Sequence, residues 1–176
     1  MITLDDHFML HYRLGKEYLE SGTKRYMRTE YERAYQLNPN HPMICKNYAV
    51  VCLEEKRYEE GLEAITKAEG SENELVILVK AILLQKLKRY DEAFEAAQNA
   101  LKKVDKFFKR QNKEYLYCIM GQVLKEERGV ETAVRGISEM CDDRAIYRKV
   151  KKVLENDRVR CMKIVHIGDD SYAGRR

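Results

Sequence analysis

Proline, glycine and long apolar runs are all scarce in this chain. Two Pro and nine Gly are few for 176 residues, while charged residues make up 35% and Leu, Lys, Glu, Arg and Ala dominate. That composition belongs to helical proteins, and the length suits one domain or one short repeat array with a real core. No run approaches eighteen apolar residues, and the longest apolar region, Leu75 to Leu84, is broken by Lys80. A membrane-spanning helix is therefore excluded. The opening residues Met1 to Asp6 carry no basic segment and no apolar core, so no signal peptide is expected there. They read instead as a helix start, with Thr3 as N-cap and Asp6 three residues on.

Chemistry-bearing motifs are missing as well. There is no Gly-rich phosphate loop, no Gly-x-Ser-x-Gly elbow and no His-Glu-x-x-His pair. Five cysteines, at 45, 52, 118, 141 and 161, form no CxxC pair. The odd count without a secretory signal predicts reduced thiols and a cytoplasmic location. Cys45 and Cys52, seven apart, fall on one helical face as small core residues. His7 and His11 are four apart but lack a third ligand at matching spacing, so no metal is expected. His41 stands in a turn beside Pro42 and His166 precedes the tail. The pairs Glu54-Glu55, Glu59-Glu60 and Glu126-Glu127 lie next to Lys or Arg and read as solvated helix-end charge. Nothing assembles a nucleophile, a base and an orienting group, so neither catalysis nor a cofactor is predicted.

What the chain does have is a repeat. Lys56-Arg57-Tyr58-Glu59-Glu60-Gly61 returns as Lys88-Arg89-Tyr90-Asp91-Glu92-Ala93, thirty-two residues later. Self-similarity at that interval is the signature of stacked helical units. Here it reads as turn and packing grammar, with Tyr58 and Tyr90 packed at the turn and the Lys-Arg before each facing solvent. Four helix pairs follow: about 5–20 with 23–37, 42–55 with 58–69, 73–87 with 91–110, and 113–127 with 130–140. Pro39 and Pro42 close the first pair. The longer interval between the third and fourth pairs comes from residues 105–112, which carry Phe107 and Phe108 and should prolong the helix before them.

The first unit supplies Leu14-Gly15, Tyr18, Gly22, Tyr31, Ala34 and Pro39. The second has Tyr48-Ala49, Tyr58, Gly61, Ile65 and Ala68. Ala81, Leu84, Tyr90, Ala93 and Ala100 follow in the third, then Met120-Gly121, Leu124, Ala133 and Ile137 in the fourth. Over about 8–144 this pattern resembles the tetratricopeptide repeat family, whose unit is a helix-turn-helix of about 34 residues. Met27, Lys80 and Val130 depart from the usual residue types. The resemblance implies an all-α fold, a right-handed α-solenoid of about four helix-turn-helix repeats with a C-terminal capping helix. Repeats are expected at about 8–41, 42–73, 74–113 and 114–144, and the capping helix at about 143–160. The repeat domain would span 1–165, with a flexible polar tail at 166–176. Small residues at Gly15, Ala49, Ala81 and Gly121 would let the helices of a pair approach, and Ala34, Ala68 and Ala100 would do so between units.

The family binds ligands on the face lined by the first helix of each pair. Projected here, that face holds Met9, Tyr12, Arg13 and Lys16, then Met43, Lys46, Asn47 and Val50. Leu75, Leu78, Val79 and Ile82 come next, and Tyr115, Cys118, Ile119 and Gln122 last. The implied partner-binding groove comprises Tyr12, Arg13, Lys16, Lys46, Asn47, Val50, Leu75, Leu78, Val79, Ile82, Tyr115, Ile119 and Gln122. Of the cation-and-amide clamp that some members use for a C-terminal carboxylate, only Asn47 falls in register, which argues against that mode. The helix from Glu74 to Gln85 is apolar nearly all round and so must be covered on both sides. Its cover could be a partner segment, a second copy of the chain, or the chain's own C-terminal helix.

The function expected is therefore protein–protein interaction, as an adaptor or an assembly/secretion-type chaperone holding a peptide or helix of a partner. A homodimeric scaffold is one alternative. A basic nucleic-acid-associated or regulatory module is another, resting on Lys102 to Lys113 and on Arg144, Arg148, Lys149, Lys151, Lys152, Arg158, Arg160 and Lys163. Aromatics are not interleaved with those cations, and Asp105, Glu114, Glu155 and Asp157 offset them, so a solvated helix face is preferred.

Overall fold

The computed structural model describes residues 4–68, 74–102 and 110–156. Among the described residues every regular element is a helix: α1 (Leu4–Glu20), α2 (Lys24–Leu37), α3 (Pro42–Glu54), α4 (Tyr58–Lys67), α5 (Glu74–Lys86), α6 (Tyr90–Lys102), α7 (Arg110–Arg128), α8 (Val130–Met140) and α9 (Arg144–Glu155). The described residues divide into two compact units, 4–79 and 80–156, with the boundary inside α5.

In the first unit α1 packs on α2, α2 on α3 and α3 on α4. Phe8, Ala34 and Ile44 form one cluster, with Met9, Tyr12 and Tyr35 against it. Met27, Tyr31 and Val51 form a second, and Tyr48, Cys52 and Ala64 a third. The close approach of α1 and α2 depends on Gly15. A Cβ there would lie 2.6 Å from Cδ1 and Cε1 of Tyr31. In the second unit α7 packs on α6, α8 and α9, and α8 also meets α9. Gly121 plays the matching part: a Cβ would stand 3.0 Å from Leu154 Cδ1 and 3.3 Å from Ile137 Cγ1. Ala34, Ala49, Ala68, Ala81 and Ala100 are all buried, as close packing requires.

The repeated Lys-Arg segment has a backbone explanation. Lys56 and Lys88 adopt left-handed conformations, with φ of 62° and 60°, and Gly22 has φ of 74° at the corresponding place. Arg57 N–H donates to Cys52 O at 2.8 Å and Lys56 N–H to Leu53 O at 3.3 Å. The same pair of bonds recurs from Arg89 to Leu84 at 2.9 Å and from Lys88 to Gln85 at 3.0 Å, and from Thr23 to Tyr18 and Gly22 to Leu19. These are Schellman closures, which satisfy the last carbonyls of a helix and reverse the chain. The left-handed position costs a non-glycine residue about 1 kcal/mol. Lys56→Gly and Lys88→Gly are each expected to raise stability by roughly 0.5–1 kcal/mol, seen as a higher urea midpoint at unchanged slope.

Lys56, Lys88 and Arg89 face solvent as expected, but Arg57 does not. Its guanidinium is half-buried, 2.6 Å from Glu32 Oε1, 2.8 Å from Glu55 Oε2 and 3.3 Å from Glu60 Oε2. Carboxylates from α2 and α4 converge on that turn and hold it.

α6 is described as far as Lys102, and Arg110 already belongs to α7, which was expected from about 113; the expected prolongation over 105–109 lies outside the described residues. No Pro or Gly separates Arg110 from Lys113, so nothing stops the helix at 113. Phe107, Phe108 and the proposed Thr3–Asp6 cap lie outside the described side chains. Asp143 caps α9, its Oδ1 accepting from Ala145 N–H at 2.8 Å and Ile146 N–H at 3.1 Å.

Cys45, Cys52 and Cys141 are free and buried. Cys45 and Cys52 fill the core on one face of α3, as their spacing implies. Burial raises the Cys52 thiol to about 11, so it does not ionise near neutrality. Cys118 is disulfide-bonded, which corrects the expectation of reduced thiols at that position.

Candidate binding surface

Helix α3 is buried over most of its circumference, from Ile44 to Leu53 without a break. Its sides can be assigned from their neighbours. Ile44 and Val51 meet α1 and α2, and Tyr48 and Cys52 meet Ala64 of α4 and Tyr35 of α2. The Tyr35 and Tyr48 rings stack with centroids 4.1 Å apart and planes 7° from parallel. Tyr48 donates its phenol to Glu60, and Arg57 stands 5.7 Å from the Tyr48 ring centroid. Burial, then the bond to Glu60, raises the Tyr48 pKa strongly, so the phenol stays protonated as the donor. Lys67 Nζ sits 5.6 Å from the Tyr35 ring centroid. That side of α3 is thus fully engaged within the unit.

Lys46, Asn47 and Val50 occupy a different arc. At about 100° per residue they span roughly 100° of the helix, turned away from Tyr48 and Cys52. None belongs to the three clusters above. All are nonetheless buried, Lys46 at 0%, Asn47 at 1% and Val50 at 8% exposure. Both side-chain amide atoms of Asn47, Oδ1 and Nδ2, are buried without a hydrogen-bond partner among the described residues. An unmet buried amide costs about 1–3 kcal/mol.

The other groove residues are distributed as follows. On α1, Arg13 is exposed while Tyr12 and Lys16 are half-buried. The Tyr12 ring lies 6.4 Å from that of Tyr31, so Tyr12 is shared between the surface and the core. Leu75 is half-buried, and Leu78 and Val79 are buried at 1% and 0%. Ile82 and Ile119, in the second unit, are buried at 1% each. Tyr115 is half-buried, and desolvation raises its phenol pKa. Gln85 donates through Nε2 to Gln122 Oε1 at 2.6 Å. The thirteen residues thus fall in two units, those up to Val79 in the first and Ile82, Tyr115, Ile119 and Gln122 in the second. The all-round apolar character of α5 shows as burial of Val76, Leu78, Val79, Ala81, Ile82, Leu83 and Leu84.

Other polar features have structural roles. His11 Nδ1 lies 2.5 Å from Glu30 Oε2, and Glu30 also pairs with Arg33 at 3.3 Å. Glu30, 8% exposed, was not singled out by sequence reasoning, because its partners come from a separate helix and from one turn along its own. Among the described residues no group of three His, Cys, Asp or Glu side chains could hold a metal ion. A depression on α4 is lined by Glu59, Glu60, Leu62, Glu63, Thr66 and Lys67. Lys67 there pairs with Glu63 at 3.2 Å, and the depression includes none of the predicted groove residues.

The same helical arrangement exists in a solved structure. The chain superposes on a structure titled as the functional characterization of Pseudomonas aeruginosa pilF, with a TM-score of 0.61 and 18% identity, covering 88% of this chain and 70% of that one. The fold is a tetratricopeptide-like helical repeat. At that identity the likeness establishes the fold and nothing finer. No family model matches the chain, and no curated protein matches it.

Proposed function

We propose that this chain is a protein–protein interaction module, without catalytic activity, that holds a peptide or helix of a partner against the inner faces of α1 and α3. The role is that of an adaptor or an assembly/secretion-type chaperone. The observation that carries the reading is the Asn47 amide, buried and unmet beside Lys46 on the face that helical repeats offer to ligands. Donor and acceptor together suit the backbone of a bound segment, which presents both groups. Tyr12, Arg13 and Lys16 border that arc and would supply contact area and positive charge.

The test uses a photo-crosslinking amino acid at Arg13, with the same group at Glu63 on α4 as the control, both exposed positions. A polypeptide captured from native cells at position 13 and not at 63 supports the reading; equal capture at both, or none, removes it. Leu78→Asp and Ile82→Asp are poor tests, because both side chains are almost fully buried and the variants should lose structure.

One observation favours a second reading. Arg144, Arg148 and Lys152 form an exposed stripe at i, i+4 and i+8 on α9, whereas Lys149 pairs with Glu114 and Lys151 with Glu155. Nucleic-acid binding through that stripe would weaken steeply with salt and fall further in the triple Ala variant. Binding to neither DNA nor RNA at low salt would dispose of it. Self-association, the scaffold reading, would appear in sedimentation as a concentration-dependent mass.

No helix among the described residues is long and apolar enough to cross a membrane. A cytoplasmic location draws support from the three free thiols, while the Cys118 disulfide weighs toward an oxidising compartment. Thiol titration of the denatured, unreduced protein is expected to count fewer than the five cysteines of the sequence. A count of five would return the chain to the reducing side.

A further inference from the structure

We propose that the outer face of the α1–α2 pair is a self-association surface, on which α1 packs antiparallel against α1 of a second copy of this chain. This face is separate from the arc of Lys46, Asn47 and Val50 and does not depend on what that arc holds.

Exposure points to the surface. The exposed large hydrophobic side chains among the described residues are Leu10 at 53%, Tyr26 at 56% and Leu37 at 41%. All three belong to α1 and α2, and helical geometry places them on neighbouring stripes. On α1, Leu10 and the half-buried Leu14 stand roughly 120–160° round the helix from Phe8, whose cluster includes Ile44 of α3. On α2, Tyr26, Glu30, Arg33 and Leu37 recur at intervals of four, three and four, which is one stripe of a helix. That stripe borders α1, because the Tyr26 and Tyr18 ring centroids lie 5.3 Å apart and Glu30 pairs with His11. A helix face that meets only water carries polar residues. Leucine and tyrosine exposed side by side mark a face that is covered in use.

Residue order identifies the occupant. The outward stripe of α1 runs His7, Leu10, Leu14, Glu17, at intervals of three, four and three, the spacing of a helix–helix seam. Read backwards, it is its own complement. An antiparallel second copy sets Leu10 against Leu14 of the other chain and His7 against Glu17, each contact being made twice about a two-fold axis. A parallel copy would instead oppose Glu17 to Glu17. His7 and Glu17 are both exposed and have no ion-pair partner among the described residues. Within one chain they cannot meet, since ten residues of helix hold them about 15 Å apart. Tyr26 and Leu37 extend the apolar surface on the side of α2.

The test follows the full chain by sedimentation equilibrium over a range of concentrations, where a monomer in exchange with a dimer is expected. Leu10→Ser should raise the dissociation constant about tenfold or more, because the dimer buries that side chain twice. Helicity should not change, since Leu10 is half exposed in the single chain and its loss leaves no cavity. His7→Glu should raise the constant severalfold by opposing acid to acid. Adding Glu17→Lys should return it to the original value or below, a repair that can act only between chains. A monomer at every concentration overturns the proposal. So does a dimer that Leu10→Ser leaves intact, which would place self-association elsewhere. A charge reversal that repairs nothing would exclude the antiparallel seam and overturn it as well. Sedimentation needs no partner, and a cross-link from position 13 to the chain itself would report this dimer, so the two readings fail separately.

Discussion

Leu154→Ala is expected to destabilise the second unit by about 2–5 kcal/mol. Leu154 is 1% exposed near the end of α9, and with Ile146 and Val150 it forms the whole buried stripe of that helix. Its methyl groups lie opposite Gly121, where even a Cβ would approach Leu154 Cδ1 and Cδ2 to 3.0 and 3.2 Å. Because glycine has no side chain to relax inward, truncating the leucine leaves a void with little to fill it. Chemical denaturation should show a lower midpoint, and amide exchange should rise first in α9. Gly121→Ala in the Leu154→Ala background should recover part of the loss, since the atoms it would crowd are gone. Additivity of the two changes would refute this account, because residues sharing a contact should couple by 0.5 kcal/mol or more. A side chain supports the same junction, Lys125 Nζ donating to the backbone carbonyl of Leu154 at 2.9 Å.

Gly15→Ala should cost the first unit about 1–3 kcal/mol, although alanine is the better helix former by about 0.8–1 kcal/mol. The added Cβ would sit 2.6 Å from two ring carbons of Tyr31. That ring is 3% exposed and fixed between Met27 and Val51, so it cannot step aside without moving α2. Gly136→Ala is the matched control, since its Cβ would meet Leu124 Cδ1 at 3.0 Å, the tip of a half-buried side chain. There the propensity gain should win or break even. If thermal unfolding finds both variants equally stable, close approach is not what Gly15 provides.

Local chemistry was legible from residue order. The Lys56-Arg57 and Lys88-Arg89 repeat marked turns because a Schellman closure is made by residues adjacent in sequence. Gly15, Ala49, Ala81 and Gly121 could be picked out because only small residues permit a short interhelical distance. That Arg110 to Asn112 already belong to α7 was missed because nothing in Arg110 to Lys113 either stops or starts a helix strongly. Arg57 was misjudged for another reason. A basic residue in a turn normally faces water, and only the convergence of Glu32, Glu55 and Glu60 draws it in.

The surface residues show the same division. Projection onto the first helix of each pair grouped Lys46, Asn47 and Val50 on one arc, a matter of helical geometry alone. It could not show that the arc is buried, or that the Asn47 amide goes unmet there. Helix number, turn positions and small-residue contacts were determined by the sequence itself, because they arise from neighbours within one helical pair. Which polar side chains are covered, which stay in water, and which groove residues fall in which unit was decided only by the tertiary structure. Burial is a sum over distant contacts, and no local pattern in this chain encodes it.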